Sequence, residues 1–248
     1  MQNSLIHRAR KPGGHDTNAL SAKQSFVSRR GILLVVCLLT LGNAHAAPPA
    51  QEILATARHR VAEQEINVAG QLRENGRIVP FRLTQTGPVI RYSFTNPDEA
   101  LQLRLDENTA NLEAISGSGV DKISGPEFSQ KVRDTAISYE DLALKFIYWP
   151  TADVVGEDYV ASRRVWKIEL KPRGRESQYS KVFVWCDEQG GALLKMEGFD
   201  WNGRVTKRFE VISAQKIEGR WFLKSMRIDQ LDPNSGKRTA ITYLEINK

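Results

Sequence analysis

Cysteine and histidine are nearly missing from this sequence, which holds two of the first and four of the second in 248 residues. Past residue 46 only Cys186 and His59 remain. A single thiol excludes an intramolecular disulfide there, even in an oxidising compartment. A single imidazole argues against a histidine-based triad, and also against zinc, which wants three or four protein ligands. His59 and Glu63 stand at i, i+4 but supply only two, and His59 sits between Arg58 and Arg60 on the polar side of a predicted helix. The nucleotide signatures are absent as well. There is no Walker sequence, and Gly117-Ser118-Gly119 meets Lys122 where a dinucleotide loop needs its third glycine. The same stretch lacks the flanks of a nucleophile elbow. Cys186 follows Trp185 in an apolar strand and reads as a small hydrophobe. Glu140-Asp141 falls in the first turn of a predicted helix, where capping and the helix dipole account for it. No catalytic residue, no metal and no cofactor is expected. The chain reads as something other than an enzyme.

Long apolar runs are also lacking. Gly31–Leu41 is too short to cross a bilayer comfortably. Arg29 and Arg30 precede it and Ala44-His45-Ala46 follows, which is the pattern of an export signal cleaved after Ala46. Met1–Arg30 is long for such a leader, so either translation starts further in or Ser28-Arg29-Arg30-Gly31-Ile32-Leu33 is a twin-arginine signal. The strength of the apolar run favours the ordinary secretory route. Val36 before Cys37 is not the small residue that lipidation would want.

Removing the leader changes the charge. Residues 1–46 carry six Lys and Arg against Asp16, a net of +5, and the whole chain is +6, which leaves +1 for residues 47–248. A mixed-charge solvated surface is expected, with no nucleic-acid footprint. Those residues are expected to form one domain.

What remains is rich in strand signals. Ala47-Pro48-Pro49 is a short tether, and Ile53, Leu54, Ala57 and Val61 give Gln51–Val61 a helical face. Five strands are then predicted over Glu65–Arg73, Ile78–Gln85, Val89–Phe94, Leu101–Leu105 and Asn111–Ile115. Pro80 demotes the second toward an edge or a bulge. Ser116–Gly125 is Gly/Ser-rich and reads as a loop. From Ser138, with Asp141 as its capping partner, a helix carrying Leu142, Phe146, Ile147 and Trp149 is predicted to run to Pro150. Val165–Leu170 alternates cleanly. A meander then follows from Tyr179 to Ile246, its runs separated by turn sequences such as Asn202-Gly203 and Gly190-Gly191. All five tryptophans lie in this second half and read first as core filling.

About ten or eleven antiparallel strands with two or three helices make a mainly β, α+β fold. A sheet that wide must curl to bury its inner face. The expected architecture is an unclosed antiparallel barrel with its helices as lid or plug. One ambiguity stays open: Tyr179–Cys186 is apolar on both faces, so its pattern does not say whether Phe183/Trp185 or Val182/Val184/Cys186 point inward.

The order of several short motifs carries a resemblance. Ser138-Tyr139-Glu140-Asp141-Leu142 is followed by Tyr179-Ser180-Lys181-Val182 and Trp185-Cys186-Asp187. Leu194-Lys195-Met196-Glu197, Phe199-Asp200-Trp201-Asn202-Gly203 and Lys207 come next. Gly219-Arg220-Trp221, Met226 and Gly236-Lys237-Arg238-Thr239 complete the series. This series resembles the LolA-like outer-membrane lipoprotein-sorting protein family over nearly all of the chain past the leader, with Trp201 and Cys186 as departures. The resemblance implies a periplasmic, monomeric carrier whose apolar half-barrel cavity takes acyl chains of lipoproteins or other lipids. It also implies an inner-membrane transporter and an outer-membrane acceptor as partners. In such carriers an arginine on an early strand holds the lid closed; Arg82, Arg91 and Arg104 occupy such strands, and no local motif selects one.

The physics of transport agrees. At about 0.8 kcal/mol per buried CH₂, a chain of ~16 carbons gains roughly 12 kcal/mol on leaving water, so it crosses an aqueous space only inside a protein of comparable affinity. The expected cavity wall is Ile90, Tyr92, Phe94, Leu101, Leu103, Trp166, Ile168, Leu170, Phe183 and Trp185. The expected lid surface is Leu142, Phe146, Ile147 and Trp149. The alternative is a periplasmic sensor or accessory subunit on the same fold, binding a membrane protein without shuttling cargo. A cavity of several hundred Å³ favours the carrier, and a filled core favours the accessory role.

Overall fold

The computed structural model describes residues 47–62, 64–217 and 219–247. The export signal expected over residues 1–46 lies outside the described residues. Helix α1 (Ala50–Ala62) turns Ile53, Leu54 and Ala57 inward, as their spacing predicts. Six strands follow in sequence: β1 (Glu65–Glu74), β2 (Arg77–Thr86), β3 (Val89–Thr95), β4 (Asp98–Leu105), β5 (Ala110–Ser116) and β6 (Gly119–Lys122). After a helical segment come β7 (Thr151–Val160), β8 (Arg163–Lys171), β9 (Lys181–Asp187) and β10 (Leu193–Phe199). The chain closes on β11 (Val205–Ile217), β12 (Arg220–Leu231) and β13 (Arg238–Asn247).

All thirteen strands form one antiparallel sheet in the order β6-β5-β4-β3-β2-β1-β13-β12-β11-β10-β9-β8-β7. Each half is a meander, and β13 joins the halves by pairing with β1, Leu72 opposite Leu244. The sheet does not close: β6 and β7 are its two edges. The unclosed antiparallel architecture is the one expected, with two strands more. Those two are the edges. β6 is exposed at every residue, and β7 is bulged at Val154/Gly156 and mostly exposed. An edge strand with little to bury needs no apolar alternation, so its signal is weak.

Pro80 lies in a strand with neighbours on both sides. β3 pairs with β2 only from Phe81 onward, so Pro80, opposite Gln71 of β1, sits where its missing N–H has no partner to disappoint. β2 is interior over most of its length and an edge only at that end.

The segment between the two edges crosses the covered face of the sheet. It is not the continuous helix expected up to Pro150. Ser138 caps α2 (Tyr139–Leu142) as predicted, its hydroxyl accepting from Asp141 N at 3.2 Å. The helix then breaks. Leu144 takes the left-handed conformation (φ 47°, ψ 38°) and a 3₁₀ turn, Lys145–Tyr148, follows. A left-handed leucine is a strained backbone state that surrounding packing has to hold. Phe128, Val132, Ala136, Ile137, Phe146 and Trp149 from this segment are buried in the main core with α1 and the inner face of the sheet.

Candidate functional site: an apolar cavity under a latched lid

One apolar cavity of about 160 Å³ lies between α1, the β1–β4 meander, the α2/3₁₀ segment and the ends of β12 and β13. Strand alternation builds its wall: Leu83, Ile90 and Leu103 are mutual register partners or near neighbours on β2, β3 and β4 and face the same side. Leu142, Leu144 and Ile147 cover it, and Phe222, Leu223 and Ile246 close its far side. Tyr92 also lines the cavity and is half-buried. Burial pushes its phenol up to about 12.

Of the expected wall, the structure brings Ile90, Tyr92 and Leu103 to this cavity. Phe94, Leu101, Trp166, Ile168 and Leu170 face the same core but are packed into it as solid filling. Phe183 and Trp185 are corrections. Trp166, Ile168 and Leu170 pair with Cys186, Val184 and Val182, so the inward face of β9 is the valine–cysteine one. Phe183 and Trp185 point to the opposite face and cluster with Val160, Val165 and Leu194. Lys167 Nζ stands over both rings at 4.6 and 5.0 Å, and Trp185 donates to Asp158 at 2.9 Å. Cys186 is buried, and that burial pushes its thiol up to about 12. Of the expected lid face, Leu142 and Ile147 line the cavity. Phe146 and Trp149 pack edge-to-face at 6.4 Å in the core.

Three arginines tie this crossing segment down: Arg58 and Arg133, which lie outside the strands, and Arg77 at the start of β2, which donates to the Arg133 carbonyl and pairs with Asp134 at 3.6 Å. Arg58 of α1 donates from Nη1 to the carbonyl of Ile147 at 2.7 Å and lies 5.4 Å from the Tyr148 ring centroid. Burial lowers its pKa, the phenol of Tyr148 partly offsetting this. Two turns earlier, Gln51 donates to the carbonyls of Trp149 and Pro150, both at 3.2 Å. Arg133 grips the β3–β4 turn, donating to the carbonyls of Asn96 and Pro97 at 3.1 and 2.8 Å and pairing with Glu99 at 2.9 Å. Arg82 and Arg104 are exposed, Arg104 pairing with Glu113 at 3.2 Å, and Arg91 is half-buried on β3. His59 is exposed on α1, as its neighbours predict.

The lid's other end is anchored by a buried polar cluster. Lys207 Nζ lies 2.6 Å from Asp141 Oδ2, and their side chains are 5% and 0% exposed. Asp141 also accepts from the Tyr179 hydroxyl at 2.7 Å and from Ser138 N and Oγ at 2.8 and 2.7 Å. Gln178 donates to Ser138 Oγ at 2.6 Å and its N–H to Glu140 at 3.2 Å. Burial raises the pKa of Glu140, and burial next to Asp141 raises that of Tyr179 well above the ordinary phenol value. Capping accounts for only part of Asp141. The missed signal was Lys207, which shares strand parity with buried Phe209 and so had to find a carboxylate.

These features define a class: an unclosed antiparallel half-barrel with an apolar cavity under a helical cover. Residues 117–248 match the model of a family described as uncharacterized proteins; the match takes in more than half of the chain, and the chain belongs to that family. No curated protein matches the sequence. Three solved structures share the fold. A lipoprotein-sorting protein domain of Vibrio parahaemolyticus, described as a putative outer-membrane one, is 18% identical with a TM-score of 0.62, over 80% of this chain and 90% of its own. A LolA superfamily protein of Nitrosomonas europaea is 18% identical with a TM-score of 0.61, over 82% and 93%. A DUF1329 family protein of Desulfovibrio piger is 18% identical with a TM-score of 0.60, over 82% and 92%. The chain has the LolA-superfamily fold, in agreement with the resemblance of its motifs.

Proposed function

We propose that this protein is an exported, periplasmic carrier that holds an acyl chain of a lipoprotein or other lipid in the half-barrel cavity and moves it toward the outer membrane. The observation that carries this reading is the cavity, lined mostly by apolar side chains with Arg58, Gln64 and Gln85 at its margin and covered by a separately latched segment. Its volume, about 160 Å³, is below the ~300–1,000 Å³ of ordinary ligand pockets. It is close to the ~150 Å³ void that accepts benzene in an engineered core, so the closed form has room for roughly one end of an acyl chain. Loading a whole chain therefore requires the α2/3₁₀ segment to swing out. The break at Leu144 divides that segment into a part anchored through Asp141 and a part latched through Arg58, which makes the second the moving one.

The accessory-subunit reading draws its support from the same small volume, since most of the expected wall is solid core. The two readings separate on ligand uptake. Titration with a fluorescent fatty acid is expected to show saturable binding by the parent. Arg58→Ala is expected to bind about tenfold more tightly and to load faster, because an open-competent state no longer has to break a charged hydrogen bond. No saturable uptake by either protein contradicts the carrier reading and leaves the accessory role. Uptake that Arg58→Ala leaves unchanged contradicts the latch.

A further inference from the structure

The β11–β12 hairpin outruns its neighbours. β10 pairs with β11 only as far as Glu210, and β13 pairs with β12 only from Ser225. Residues 212–217 and 220–224 therefore project as a two-stranded ribbon, in which Gln215 donates to the Ile246 carbonyl at 3.0 Å. The ribbon's outward side chains are of two kinds. Trp221 is 66% exposed and Ile212 51% exposed. Lys216, the register partner of Trp221, is exposed on the same face with its ammonium 5.2 Å from the Trp221 ring centroid, and Arg220 and Lys224 are exposed as well, Arg220 opposite Ile217 on the other face. Lys216, Arg220 and Lys224 against Glu218 give the ribbon +2, whereas residues 47–248 total only +1, so the remainder of that stretch is −1. The same ribbon sends Phe222 and Leu223 back into the cavity wall.

We propose that this ribbon seats the protein on an anionic bilayer surface, with Trp221 and Ile212 at headgroup depth and the three cations on lipid phosphates. An indole with one apolar and one polar edge partitions to that zone. Lys and Arg stems lie along apolar surface while their charges stay at the phosphates. The local positive charge on a chain otherwise near neutral is what an anionic leaflet attracts, with a strength that falls as salt rises. Docking there holds Phe222 and Leu223, and with them the cavity wall, against the lipid. That purpose rests on the carrier reading, but the docking itself does not.

Flotation of the purified protein with vesicles of phosphatidylcholine alone, or with about one third phosphatidylglycerol, tests this in low and high salt. The protein is expected to float with the anionic vesicles at low salt and to lose them at high salt. Trp221 is the most exposed of the tryptophans, so a blue shift of emission should accompany binding. Trp221→Ser, and separately Lys216→Glu with Arg220→Glu, are expected to weaken binding about tenfold or more while leaving the fold and the fluorescent fatty-acid titration unchanged. All of these side chains are exposed, so the variants should fold. Failure of the parent to bind anionic vesicles overturns the proposal and leaves the ribbon as a protein contact. Equal binding by the variants overturns it too, since another surface is then responsible. Vesicle binding by a parent that takes up no fatty acid supports the docking and removes the carrier reading.

Discussion

Lys207→Met should lower the melting temperature by about 6–20 °C, one of the two largest single-residue effects expected in this protein. Methionine keeps most of the aliphatic volume and deletes the charge. Asp141 is then left with its carboxylate fully buried and only neutral donors, Tyr179 and Ser138. Removing one partner of a buried pair costs about 3–5 kcal/mol, and in a domain of this size each kcal/mol moves the midpoint by roughly 2–4 °C. The loss concerns the uncompensated charge, so Asp141→Asn placed in Lys207→Met should restore a good part of it. Thermal unfolding of both single variants and the double variant gives the coupling, expected at about 2 kcal/mol or more. A Lys207→Met protein within ~0.5 kcal/mol of the parent would mean that the pair does not anchor α2.

Gly198→Ala should act on the same anchor from beneath. A Cβ at Gly198 would stand 2.4, 2.7 and 2.9 Å from Cε1, Cδ1 and Cζ of Tyr179. Those are ring atoms of a fully buried side chain, so they cannot swing aside as the end of a lysine would. Either the ring moves and its hydroxyl leaves Asp141, or β10 shifts at the irregularity already present between Gly198 and Phe199. Overpacking costs about 1–3 kcal/mol, and a lost hydrogen bond to a charge adds a further ~1.5–3 kcal/mol. Tyr179→Phe isolates the second part, and should cost less than Gly198→Ala. In the double variant the hydroxyl is lost only once, so the two effects should add to less than their sum. An alanine tolerated without cost would show that Tyr179 does not need its present seat.

The sequence was most legible where one face of a strand is buried and the other wet. Ile90/Phe94 and Trp166/Ile168/Leu170 alternate with polar residues, and those strands fall where alternation puts them. It was least legible where burial makes no such demand. β6 and β7 bury almost nothing, and β9 buries both faces, so periodicity cannot choose between Val184 and Trp185. The same limit applies to the lid. Leu142, Phe146 and Ile147 satisfy helical spacing, yet a single left-handed residue, Leu144, redirects the chain between them. Two of the expected lid residues then turn to the core. The cavity's other contributors, Arg58 and Val61 on α1 and Phe222 and Leu223 on β12, are far from the strands that carried the pattern. Arg58 stands beside the helix's apolar stripe rather than on its solvent side, and that was the available clue.

The space under the α2/3₁₀ segment is proposed to take an acyl chain. Native mass spectrometry of the protein recovered from the periplasm tests this most directly. A population carrying one acyl-bearing molecule per chain is expected, which added fatty acid displaces and which Leu103→Trp, filling the cavity, abolishes. A bare chain in every preparation, with no uptake of added fatty acid, would contradict it.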